Sequence, residues 1–137
     1  MKLRLITPDD YDALLTIYAE WKQVTFTKEQ FVKYINDTIV LVVENDAKHV
    51  VGSCKNIVEP KLMYAKSVCH VEDVVVLETS RGKGVGTFML KQLIQWCEQK
   101  KWGDVYKLRL GCLDPLQPFY EQCGLQRSGY DMVRRFT

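Results

Sequence analysis

The sequence predicts a mixed α/β fold, a mostly antiparallel sheet flanked by helices. Three observations lead there. Apolar residues recur at helical spacing in some segments and alternate or run continuously in others. These segments follow the order β-α-α-β-β-β-α-β-α-β, a layered arrangement of helices on a sheet. The breaks between them are short and carry Gly, Pro, Asn and Asp, with no linker, repeat or low-complexity tract.

Each element has its own signal. Leu3–Ile6 reads as a first strand. Thr7 as N-cap, Pro8 at the first helical position and Asp10 then open a helix whose inward face is Tyr11, Leu14, Leu15 and Tyr18. Thr27-Lys28-Glu29-Gln30 is a capping box for a second helix, with Phe31, Tyr34 and Ile35 inward. Thr38–Glu44 and His49–Val58 are strands joined by the turn Asn45–Lys48, and Pro60 is expected to interrupt the sheet. Val68–Leu77 is a further strand. Its apolar second half, Val74–Leu77, suggests burial on both faces. A helix follows Gly86, with Met89, Leu90, Leu93, Ile94 and Cys97 inward, and Trp102-Gly103 ends it. Val105–Leu113 reads as a strand, Leu116–Cys123 as a short helix stopped by Gly124, and Gln126–Phe136 as one or two closing strands.

The 137 residues suit one domain over the whole length, and 47% hydrophobic residues suffice to fill its core. A net charge of +2 argues against a nucleic-acid partner. The longest apolar runs are too short for a membrane span, and Met1–Leu5 reads as a strand and not as a signal peptide. The five cysteines, Cys54, Cys69, Cys97, Cys112 and Cys123, form no C-x-x-C pair and read as reduced core thiols of a cytoplasmic protein. With only His49 and His70 available, neither at ligand spacing, no metal is expected.

The segment that carries chemistry is Arg81-Gly82-Lys83-Gly84-Val85-Gly86, set between a strand and a helix. A helix N-terminus offers unpaired N–H groups and partial positive charge, and glycines let that backbone approach a phosphate closely. No G-K-[ST] follows, and the spacing is not G-x-G-x-x-G, so the loop is neither a nucleoside-triphosphate nor a dinucleotide signature. It fits R/Q-x-x-G-x-G/A and so resembles the coenzyme A pyrophosphate loop of the GNAT acetyltransferases. The resemblance runs in order along essentially the whole chain. It is closer around His70–Val76, Phe119-Tyr120-Glu121-x-Cys123-Gly124 and Met132-x-Arg134-Arg135-Phe136, which are similar to the glucosamine-6-phosphate N-acetyltransferase family.

That resemblance implies the GNAT acyl-CoA acyltransferase fold, acetyl-CoA as cosubstrate, and direct attack of an amine on the thioester. The acceptor would be a small phosphorylated amino sugar. Gly82, Gly84, Val85, Gly86 and Thr87 would hold the pyrophosphate by their backbone, assisted by Arg81 and Lys83. Val74, Val75 and Val76 would border a slot for the pantetheine arm, with the N–H of Val74 or Val75 facing the thioester oxygen. Glu72 and Asp73 would lie by the acceptor amine, either able to take its proton. Tyr120 would protonate the departing thiolate and touch the coenzyme. Arg134 and Arg135 would bind the sugar phosphate, in a homodimer whose C-terminal segments reach across. Thr25 belongs to the segment Lys22–Thr27 that would wall the sugar pocket.

Four positions depart from the pattern: Leu116 replaces an asparagine, Gly111 and Leu113 stand where an acidic residue is common, and Val24 replaces a glycine. These leave room for a different small amine, a polyamine, an amino acid or a protein N-terminus. A third reading is a non-catalytic coenzyme-A-binding module, against which Glu72, Asp73 and Tyr120 together argue.

Overall fold

The structure, a computed structural model, describes Met1 to Thr137. Its elements are β1 (Lys2–Leu5), α1 (Tyr11–Trp21), α2 (Lys28–Asp37), β2 (Ile39–Glu44), β3 (Val50–Lys61), β4 (Lys66–Val76), α3 (Val85–Glu98), β5 (Val105–Arg109) and α4 (Gln117–Gln122). The sheet has the order β1-β2-β3-β4-β5. Neighbours are antiparallel except β4 and β5, which run parallel with α3 as their crossover.

Period-two alternation explains why this sheet has two hydrophobic layers. Along β2, Leu41 and Val43 point to one face with Val51, Cys54, Cys69 and Val71, under Val85, Met89 and Leu93 of α3. Val40 and Val42 point to the other face, with Leu14 of α1 and Phe31 of α2. A strand covered on both faces has to be apolar at every position, and the Ile39–Val43 run is. The capping box forms as read: Gln30 N–H donates to Thr27 Oγ1 at 3.1 Å, and Thr27 N–H to Gln30 Oε1 at 2.9 Å. Thr7-Pro8 opens a single 3₁₀ turn that runs directly into α1. No helix is long and apolar enough to cross a membrane.

Four expectations need correction. Pro60 does not interrupt the sheet; it pairs with Ser67 inside β3. Pairing with β2 stops at Asn56, so from Ile57 onward β3 has an open side, where a missing N–H costs no ladder bond. The strand expected over Val105–Leu113 ends at Arg109, because β4 and β5 part there. Val74, Val75 and Val76 are half-buried, since beyond that parting no strand covers their β5 side. Gln126–Phe136 forms no strand. It pairs with no edge of the sheet, and Tyr130 and Met132 stay 82% and 90% exposed.

A charged network ties β1 to the first turn. Arg4 donates to Asp10 at 2.8 and 3.0 Å and to Glu44 of β2 at 2.9 Å. Asp10 is only 7% exposed and also accepts the Thr7 N–H at 2.8 Å. Burial alone would raise its carboxyl, but the Arg4 and Thr7 bonds outweigh it and hold the group below its usual value. A depressed folded pKa contributes stability that is complete above the unfolded carboxylate value of about 4 and is lost as pH falls through the folded one. Asp10→Asn should therefore lower the thermal midpoint at neutral pH and flatten its decline in acid, measured by melting from pH 7 to 2. Parallel wild-type and variant curves would show that Asp10 does not shape the acid limb.

Candidate active site

The site begins where β4 and β5 separate. Their pairing ends at His70 with Arg109, while β4 continues to Val76 against β3 alone. In that free stretch β4 carries an extra residue: Ser53 pairs with Val75 and Lys55 with Glu72, leaving Asp73 and Val74 opposite Cys54. Asp73 sits at φ 52°, a left-handed conformation that a short polar residue tolerates better than most. The bulge explains how two adjacent carboxylates fit in an apolar strand, since both Glu72 and Asp73 remain exposed. Glu72 lines the opening between the strands. Asp73 lies towards α1, where burial, with the Asp73 charge beside it, raises the Tyr18 phenol well above its ordinary value.

The glycine loop is braced from several sides. Glu20, near the end of α1, accepts the Glu78 N–H at 2.8 and 3.0 Å. Arg81 Nε donates to the Val76 carbonyl at 3.1 Å, so this side chain also fastens the loop to β4. Gly82 and Gly84 have φ of 74° and 82°, with nothing within 4 Å of where a β-carbon would stand, so backbone conformation demands glycine there. Gly86 is different. Its backbone is ordinary, but a β-carbon would lie 3.0 Å from Phe119 Cζ of α4. Likewise a β-carbon on Gly52 of β3 would lie 3.1 Å from Val85 Cγ1 and 3.3 Å from the Val75 carbonyl. The first turn of α3 is thus seated closely on the sheet and under α4. Its first N–H groups have no partner within the helix, and Lys83 just before it is exposed.

That seating also places Tyr120. The residue is 8% exposed and packs with Leu90 of α3 and Cys123, against half-buried Val74 of the bulge. Burial, with the neighbouring thiols Cys112 and Cys123, raises its phenol pKa, which keeps the group protonated and able to donate. An opening of about 530 Å³ lies between β4 and the chain beyond β5, bordered by His70, Glu72, Arg109, Gly111, Cys112 and Asp131. Cys112 is exposed here, unlike the core thiol expected, while Cys54, Cys69 and Cys123 are buried and all five cysteines are unpaired.

The fold therefore brings together Glu72, Asp73, the valines Val74–Val76, the loop Arg81–Thr87 and Tyr120. It does not bring Thr25, Arg134 or Arg135 to the opening: Thr25 is exposed between α1 and α2, and Arg134 lies over the Phe136 ring at 5.6 Å. Sequence reasoning did not single out Arg109 or Asp131. Nothing in their spacing marks them; only the departure of β5 and the path of the tail place them here.

The chain belongs to the Acetyltransferase (GNAT) family, whose sequence profile matches residues 9–125. It is 34% identical over 97 residues to glucosamine 6-phosphate N-acetyltransferase of Schizosaccharomyces pombe, covering 70% of this chain and 85% of that protein. It is 32% identical over 142 residues to glucosamine 6-phosphate N-acetyltransferase 1 of Dictyostelium discoideum, covering 96% of this chain and 88% of that protein. The crystal structure of glucosamine-6-phosphate N-acetyltransferase from Arabidopsis thaliana shares the fold, with a TM-score of 0.87 at 23% identity over 99% of this chain and 98% of that one.

Gly86→Ala should force Phe119 and α4 away from α3, at about 1–3 kcal/mol for overpacking. We expect a lower thermal midpoint together with a disproportionate loss of acetyl transfer, because Tyr120 neighbours Phe119. Lost stability with turnover per folded molecule intact would show that α4 position does not matter to the chemistry.

Proposed function

We propose that this protein transfers acetyl from acetyl-CoA to the 2-amino group of glucosamine 6-phosphate, a step of UDP-N-acetylglucosamine supply. The observation that carries the reading is the parting of β5 from β4 at Arg109, with the Asp73 bulge just beyond it and Val74 packed against Tyr120, in a chain whose relatives bear that activity in their names. The residues present fit the coenzyme: Gly82 and Gly84 leave open space over the start of α3, and Lys83 adds charge. Acetyl-CoA supplies an activated acetyl thioester.

The chain's own groups do the rest. Backbone N–H groups of Gly84 to Thr87 hold the pyrophosphate, and Gly82 lets the loop turn. Val74–Val76 border the arm, and the Val74 or Val75 N–H stabilises charge on the thioester oxygen. Glu72 or Asp73 receives the proton of the amine, and Tyr120 gives its own to the departing thiolate. Arg134 and Arg135 serve the sugar phosphate of a neighbouring subunit. The exposed apolar tail, including Tyr130, Met132 and Phe136, supports a homodimer in which these side chains are covered. Unpaired thiols support a reducing, cytoplasmic setting.

The test is acetyl transfer to glucosamine 6-phosphate, read as product mass, beside glucosamine, a polyamine and a lysine peptide. We expect strong preference for the phosphosugar; equal use of all amines would overturn the substrate assignment. Tyr120→Phe should lower turnover by ~10²–10⁴ with little change in coenzyme affinity. Unchanged turnover would hand the thiolate's proton to solvent. Arg135→Ala should raise the KM for the phosphosugar far more than that for acetyl-CoA, and equal rises would remove Arg135 from the sugar site.

A further inference from the structure

The opening between β4 and the chain beyond β5 has to hold an amine, which is a cation in water at neutral pH. A cation leaving water needs an anionic or hydrogen-bonding partner. On the β4 wall Glu72 can serve. The other wall, Leu110-Gly111-Cys112-Leu113, has no acidic side chain of its own.

The tail supplies one. A β-carbon built on Gly111 would stand 2.5 Å from Asp131 Oδ2, 3.5 Å from its Cγ and 3.9 Å from its Oδ1. Those are the three nearest atoms, so the space a side chain at 111 would fill is taken by this one carboxylate. Gly111 has no left-handed φ to explain it. Its glycine is therefore a matter of room and not of conformation. Asp131 is the one residue of the tail that borders the opening, and it takes part in none of the chain's ion pairs. Asp131 is exposed at the rim of the opening, over the space that Gly111 leaves, and a carboxylate there without a cation is placed to receive a charged ligand group.

We propose that Asp131 binds the ammonium of the acceptor, from the wall opposite Glu72, and so helps to select an amine. The assignment rests on the acetyltransferase reading above and deepens it. Gly111 and Asp131 form a pair: the acid that the β5 segment lacks is delivered by the tail, and the glycine makes space for it. Arg109 on the same rim leaves the opening with charges of both signs, which suits an acceptor that carries an ammonium and a phosphate.

The test compares wild type with Asp131→Asn, nearly the same in shape but uncharged, and with Gly111→Ala, which evicts the carboxylate without straining the backbone. Each is assayed for the KM of glucosamine 6-phosphate, the KM of acetyl-CoA and competitive inhibition by glucose 6-phosphate, which has a hydroxyl in place of the amine. Melting curves confirm that the variants are folded. Loss of a charge-assisted hydrogen bond should raise the KM for the amine ~10–100-fold in both variants. Acetyl-CoA KM and glucose 6-phosphate inhibition should stay within about twofold of wild type, below the ~1.4 kcal/mol that a tenfold change represents. An unchanged amine KM in Asp131→Asn overturns the assignment. So does an equal weakening of glucose 6-phosphate, which would mean that the residue only shapes the cleft. The two readings separate in the wild-type assay: no acetylation of glucosamine 6-phosphate overturns the substrate, whereas normal wild-type turnover with an unaffected Asp131→Asn overturns Asp131 alone.

Discussion

One extra residue in β4 governs the architecture of this site. The sheet is continuous through His70 on one side and through Glu72 on the other, and then Asp73 breaks the ladder with a left-handed backbone. Were β4 regular, Glu72 and Asp73 would point to opposite faces and one would have to enter the core. The parting of β5 at Arg109 makes the opening, and the bulge follows within three residues on the β3 side of the same strand. Everything else around the site, from the loop after Val76 to the seat of Tyr120, is arranged about that discontinuity.

The glycines divide into two kinds with different physics. Gly82 and Gly84 are required by dihedral angles, with nothing beside them to clash. Gly52, Gly86 and Gly111 have no left-handed φ and are instead closely approached by neighbours: Val85, Phe119 and Asp131 respectively. The first kind shapes a loop for a ligand. The second lets protein approach protein, so that a helix start, an aromatic ring and a carboxylate each arrive where a side chain would otherwise stand.

The sequence disclosed what local physics decides. The Thr27–Gln30 capping box, the alternation of β2 and the amphipathic face of α3 are properties of neighbouring residues, and they form as read. The glycine loop was legible for the same reason. Pro60 misled because its tolerance depends on where β2 stops pairing, a distant event. The tail misled because a segment becomes a strand only by pairing with a sheet edge, and Gln126–Phe136 pairs with none. Gly111 read as an acid missing from the pocket; only in three dimensions does it become the space held by a residue twenty positions further on.

The close seating of α3 has a consequence in conformational entropy. Its first turn is wedged between Gly52 on the sheet and Phe119 above, while Glu20 and the Val76 carbonyl hold the loop before it. The backbone that would meet a diphosphate is therefore ordered when the chain folds, not when the ligand arrives. Ordering a flexible loop on binding subtracts from affinity, so a prearranged one keeps more of each contact's free energy for binding. Gly52 lies near the start of β3, outside the loop itself, yet it helps set how rigid that loop is.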